Sequence, residues 1–105
     1  MKIVLLYSTL PTKKAAKEIA ETLLQKRLIG CAHMLPAGES FYRWKGKVVH
    51  EKEVVLLLKT TASQRASAVR KLEELHPYEC PCILELPVKA QKKYAQWLYE
   101  ATSKE

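Results

Sequence analysis

The stretch His76-Pro77-Tyr78-Glu79-Cys80-Pro81-Cys82 constrains this chain more than any other. Two prolines flank a Tyr-Glu-Cys tripeptide, fix φ on either side of it and remove two backbone donors. The segment can therefore be neither helix nor ordinary sheet. A helical pattern ends just before it, near Leu75, and a short apolar strand, Ile83 to Val88, follows. An imidazole, a phenol, a carboxylate and two thiols are thus held in a few rigid positions. Such a stretch is either a site or a tightly specified corner.

A chain of 105 residues has the length of one domain, spanning residues 1–105. Its 48% hydrophobic content supports a real core, and its 28% charged content supports a solvated surface, which argues against disorder. The longest purely apolar run, Val54 to Leu58, is far too short to cross a bilayer, so no membrane partner is expected. The apolar start Ile3 to Tyr7 is followed by no small-residue cleavage site, and Pro11-Thr12-Lys13-Lys14 opens a helix. The expectation is a chain without a signal peptide. Three cysteines, Cys31, Cys80 and Cys82, are an odd number with no C-x2-C spacing. They fit a reducing cytoplasm better than a disulfide framework, and Cys80-Pro81-Cys82 alone is a weak metal signal.

The net charge of +7 raises the prospect of an anionic partner. The basic residues, however, are spread over every segment, so a solvated surface is the preferred reading over nucleic-acid binding.

Lys2 to Ser8 is rich in branched apolar residues and reads as a buried strand. Thr12 is placed to cap a helix whose apolar face is Ala16, Ile19, Ala20, Leu23 and Leu24. Gly30 reads as its stop signal. Cys31 to Leu35 is a second strand, interrupted at Pro36-Ala37-Gly38 by a bulge or bend and resumed from Glu39 to Arg43. Trp44-Lys45-Gly46 is a hairpin turn, and Lys47 to Thr60 returns as a third strand. Ser63 is placed to cap a second helix with Ala66, Val69, Leu72 and Leu75 inward. Cys82 to Val88 is a last strand, with Pro87 marking an edge or an end. Tyr94, Trp97, Leu98 and Ala101 share one face of a third helix.

The order strand, helix, strand, strand, helix, strand, helix gives an α+β fold. It is a ferredoxin-like βαββαβ sandwich with an extra C-terminal helix and a long central hairpin. Crossovers joining parallel neighbours are expected to be right-handed. The face of the sheet away from the helices is left uncovered, and the hairpin arms are long and partly apolar. Both features point to burial by association into a closed homo-oligomer.

Several of these residues together resemble the CutA divalent-cation tolerance family. They are Cys31, Pro36, Ser40-Phe41-Tyr42-Arg43-Trp44-Lys45-Gly46, Glu53, Lys59-Thr60, His76-Pro77-Tyr78-Glu79-x-Pro81 and Tyr94-x-x-Trp97. The resemblance implies a homotrimer built by strand pairing between subunits, a cytoplasmic setting, tolerance of copper and other divalent metals, and architectural similarity to the PII signalling trimers. Some members have a proposed copper site made of a cysteine on the first strand and two adjacent histidines. Here the matching positions are Ser8, Leu75 and His76, so only His76 of that set remains. Cys82 replaces a usual glutamate, and His33 replaces a frequent asparagine. A glycine common before the last helix is replaced within Lys89 to Lys92.

The candidate metal ligands are therefore His76, Glu79, Cys80 and Cys82, for a weakly bound divalent metal or copper. Soft thiols suit copper(I). The plainer readings are a helix-terminal His76, one buried and one surface cysteine, and a Cys31 that acts as a small core hydrophobe. Tyr42, Trp44, Lys59, Tyr78 and Glu79 are the candidate cleft residues. Tyr78 reads first as packing, Glu79 as a partner for Lys59 of the same or another subunit, and Tyr42 and Trp44 as caps on a neighbour. An alternative is a PII-like small-ligand or protein-partner trimer holding an anion with Lys59 and Arg43. No phosphate loop, nucleophile elbow or paired catalytic carboxylates appear, so no enzyme is expected.

Overall fold

The computed structural model describes residues 1–103. Its elements are β1 (Lys2–Leu10), α1 (Lys13–Gln25), β2 (Cys31–Trp44), β3 (Lys47–Thr60), α2 (Arg65–Leu75), β4 (Ile83–Lys89) and α3 (Lys92–Ala101). The sheet order is β2-β3-β1-β4, and every neighbouring pair is antiparallel. This is the ferredoxin-like sandwich with an added helix. The expected crossovers between parallel neighbours are not found, because β1 and β2 flank β3, and β3 and β4 flank β1.

Alternation along the strands decides what each sheet face meets. Val4, Leu6 and Leu10 of β1 and Val54, Leu56 and Leu58 of β3 are buried against Ala16, Ile19 and Leu23 of α1 and Ala68 and Leu72 of α2. Fully burying one such leucine contributes roughly 1.5–3 kcal/mol. The intervening residues, among them Leu5, Tyr7, Val55 and Leu57, point to the other face. That face is not bare along its whole length. α3 crosses one end of it, packing Ala95 and Leu98 on Ile3.

The helices show where local signals win and where they lose. Thr12 caps α1, its Oγ1 accepting from Ala15 N at 3.1 Å. Leu24 is nevertheless exposed. The helix stops at Arg27, not at Gly30: Arg27 takes φ 58°, and Leu28 N donates to Leu23 O at 3.0 Å. That is the left-handed helix end usually given to glycine. Gly30 has a different reason, because a Cβ there would lie 2.5 Å from Leu98 Cδ1 of α3.

In α2, Gln64 occupies the cap position without a side-chain bond, and Ser63 Oγ pairs with Thr61 Oγ1 at 3.1 Å instead. The face that packs is Ala68 and Leu72, with Val69 beside them, whereas Ala66 and Leu75 are exposed. In α3, Tyr94 and Trp97 remain exposed and pack on each other, with centroids 5.6 Å apart.

β2 runs through Pro36-Ala37-Gly38 without ending. Its pairing with β3 slips between Leu35 and Gly38, where Ala37 takes φ 63°, so the interruption is a bulge. The hairpin turn is Lys45-Gly46, with φ of 50° and 80°, which matches the right-handed twist of the flanking strands. Pro87 lies opposite Val4 on β4, an edge strand that tolerates its missing donor.

β1 pairs with β3 only as far as Leu10 opposite Val54. Beyond that point β2 and β3 continue alone from Gly38/Glu53 to Trp44/Lys47. This two-stranded arm gives the molecule its 46 × 24 × 22 Å shape.

Candidate functional site

At the root of the arm, on the sheet face away from α1 and α2, lies a cavity of about 500 Å3. Its floor comes from β1 through Tyr7 and Thr9. Its wall comes from the arm through Ser40, Tyr42, Trp44, Glu51 and Glu53. Its lid is the α2–β4 corner, which supplies Tyr78, Glu79, Cys80 and Cys82.

Glu53 is the hub. It is 6% exposed, yet both of its oxygens are used. Oε1 accepts from Ser40 Oγ at 2.5 Å and Oε2 from Tyr78 Oη at 2.6 Å. Register explains the first bond, because Gly38 lies opposite Glu53 and Ser40 opposite Glu51, so the three polar side chains share one face of the arm. Tyr42 Oη donates to Glu51 Oε1 at 2.7 Å. Burial first, and then the bond to Glu53, push the Tyr78 phenol far above its ordinary range, so it stays a donor. The bond to Glu51 raises Tyr42 in the same sense. Burial, with Glu53 adding, raises the Cys82 thiol and disfavours its thiolate.

His76 is a structural residue in this geometry. It is 7% exposed, its Nε2 donates to Thr9 O at 2.9 Å, and its Nδ1 accepts from Tyr78 N at 3.2 Å. Neither ring nitrogen offers a lone pair to a metal in this arrangement. It is not a helix-terminal cation either: burial lowers its pKa and favours the neutral ring. Its work is to pin the corner to β1 and so to aim Tyr78 at Glu53.

The sequence candidates therefore divide. Tyr42, Trp44, Tyr78, Glu79, Cys80 and Cys82 come together at the cavity, and His76 lies behind it. Lys59 does not join them within one chain. It is six residues along β3 from Glu53, about 20 Å at a ~3.3 Å rise per residue, and its Nζ sits 5.8 Å from the Tyr94 ring centroid. Burial raises the Tyr94 phenol, with Cys31 adding and Lys59 opposing, so those three form a separate group. Arg43 does not line the cavity either, and an anion would find no basic side chain there. Ser8 is fully buried on the helix side of β1, opposite the cavity.

Among the described residues, no three His, Cys, Asp or Glu side chains converge as a metal centre would require. Glu79, Cys80 and Cys82 offer soft and hard donors at the rim, but one chain does not complete a site. Tyr7, Ser40, Glu51 and Glu53 also line the cavity, although none was expected there and Ser40 and Glu53 stood out only through the family resemblance. The available signal was the pair of carboxylates two apart at the start of an apolar strand, which places both on one face.

The family described as CutA1 divalent ion tolerance protein matches residues 4–101. The chain belongs to this family. It is 38% identical over 95 residues to the divalent-cation tolerance protein CutA of Thermus thermophilus, covering 90% of this chain and 92% of that one. The mouse Protein CutA is 35% identical over 97 residues, and the chain spans 55% of its length. The crystal structure of CutA from Xylella fastidiosa superposes with a TM-score of 0.93 at 34% identity, covering 96% of this chain and 98% of that one. A CutA structure from Archaeoglobus fulgidus, described as periplasmic, gives 0.91 at 30% identity, covering 98% of this chain and 100% of that one. The family is named for divalent-cation tolerance and not for an enzyme activity.

Proposed function

We propose that this protein serves divalent-cation tolerance as a cytoplasmic homotrimer, binding metal ions, copper among them, in clefts between subunits. One observation carries the reading: the cavity at the arm root opens on a sheet face that a single chain leaves uncovered. On that face Leu84 and Leu86 of β4 and Leu35 of β2 are exposed at 51%, 40% and 43%. They stand in register with Tyr7, Leu5 and Val55. A two-stranded arm is marginal alone in water and gains from a further strand or sheet against it. Three is the number that the family resemblance implies, and the free cysteines favour the reducing compartment.

Glu79, Cys80 and Cys82 supply the metal donors on one side of the cleft, and a second copy completes the set. The metal is cargo here and not a resident cofactor. Titration with copper(I), copper(II) and zinc, on wild type and on Cys82→Ala and Glu79→Gln, tests the donors. Weakened binding in both variants is the expected result, and unchanged affinity in both refutes the assignment. Light scattering tests the assembly, and a lone 12.0 kDa particle at micromolar concentration refutes it.

A further inference from the structure

The cavity carries an aromatic surface that metal binding does not use, beside carboxylates that suit any cation. Its lining includes three carboxylates, Glu51, Glu53 and Glu79, and no lysine, arginine or histidine. The chain as a whole has 18 Lys and Arg against 11 Asp and Glu, so this charge runs against the composition. The same lining presents four aromatic rings, Tyr7, Tyr42, Trp44 and Tyr78. Phe41 is a further lining residue, and its ring stacks on His50 with centroids 4.2 Å apart. Aromatic rings give a metal no lone pair, and a hard divalent cation is held by several oxygen ligands. An ammonium group demands only ring faces and negative potential. One ring already shows the preference: Lys45 Nζ lies 5.8 Å from the Trp44 centroid, just outside the cavity lining.

We infer that the cavity at the arm root binds a small organic cation, a quaternary or alkylated ammonium, between the rings of Trp44, Tyr42 and Tyr7 and the carboxylates Glu51 and Glu53. The inference rests on the reading of this cleft as a cation site and names a second class of cation for it. The volume of about 500 Å3 suits such a ligand and far exceeds a single metal ion. The tyrosine hydroxyls hold the carboxylates in place, so their charge faces the cavity without the cost of ordering them on binding. Cys80 and Cys82 remain at the rim and take no part.

Choline chloride and its uncharged isostere 3,3-dimethylbutan-1-ol, titrated calorimetrically into the intact protein, separate charge from shape. The expected result is millimolar binding of choline, with the neutral analogue about tenfold weaker. Glu51→Gln keeps an acceptor for Tyr42 and removes charge, and Trp44→Leu removes the best ring. Each is expected to weaken choline roughly three- to tenfold, at the same light-scattering mass as wild type. Glu21→Gln, a charge change on the exposed side of α1, is expected to leave choline binding unchanged. Equal binding of the two probes overturns the inference. Metal binding without choline binding overturns it and leaves the metal reading standing, whereas failure of both metals and choline removes both. A crystal structure in which a lysine or arginine of a second copy fills the space between the rings also overturns it.

Discussion

Ser8 carries a hydroxyl into the helix-facing side of β1, where it is fully buried and reaches no hydrogen-bond partner among the described residues. An unpaired buried hydroxyl costs more than the methyl that would replace it. Ser8→Ala is expected to raise the unfolding free energy by about 1 kcal/mol, measured by chemical denaturation. His76 makes a second residue-scale prediction. Burial lowers its pKa from the ordinary 6.5, so the unfolded chain takes up a proton more readily than the folded one. Its contribution is therefore complete above about pH 6.5 and is lost as pH falls through the lowered folded value. Thermal melts from pH 7.5 to 5.0 are expected to show falling stability. His76→Leu is expected to flatten that part of the slope and, by orphaning Thr9 O and Tyr78 N, to cost about 1–3 kcal/mol at neutral pH. The sequence exposed His76 as special but not how. Its two partners come from β1 and from the residue two ahead, and only the fold brings the first of these within reach.

At the scale of elements, strands and turns were legible and helix faces less so. The β1 run, the bulge at Pro36-Ala37-Gly38 and the Lys45-Gly46 hairpin are set by local backbone chemistry, and all three are present. The inward faces of α2 and α3 depend on what lies beneath them. Ala68 and Leu72 are the residues of α2 that reach the core, while α3 turns Leu98 and Ala101 towards Gly30 and leaves Tyr94 and Trp97 exposed. Gly30→Ala tests that contact. Its Cβ would press on Leu98 Cδ1 and lie 3.3 Å from the Ala101 Cβ. A loss of about 1–3 kcal/mol is expected, read as a lower denaturation midpoint with an unchanged slope. The site was half legible for a similar reason. The corner motif displayed Tyr78, Glu79 and the thiols, but Glu53 is defined as the partner of Tyr78 only by the fold that brings the corner against β3.

At the scale of the whole molecule, the sheet face with Leu84, Leu86 and Leu35 is where copies would meet. Leu84 stands opposite Tyr7 and is 51% exposed in one chain. Leu84→Lys places a charge on that face and is expected to shift the light-scattering mass towards the single chain while the circular dichroism of the fold persists. The uneven depth of the sheet has a kinetic consequence too. Seven strand-to-strand partners tie β1 to β3 between Val4 and Leu10, but nothing from β1 reaches the hairpin from Glu53 outward. In a diluted, unassembled chain the amide protons of that hairpin are expected to trade for deuterium well before those of Leu6 or Leu58. Mixing at high concentration is expected to slow the trade there first. The distal hairpin would thus be a clock that reports, amide by amide, how long each copy spends in company.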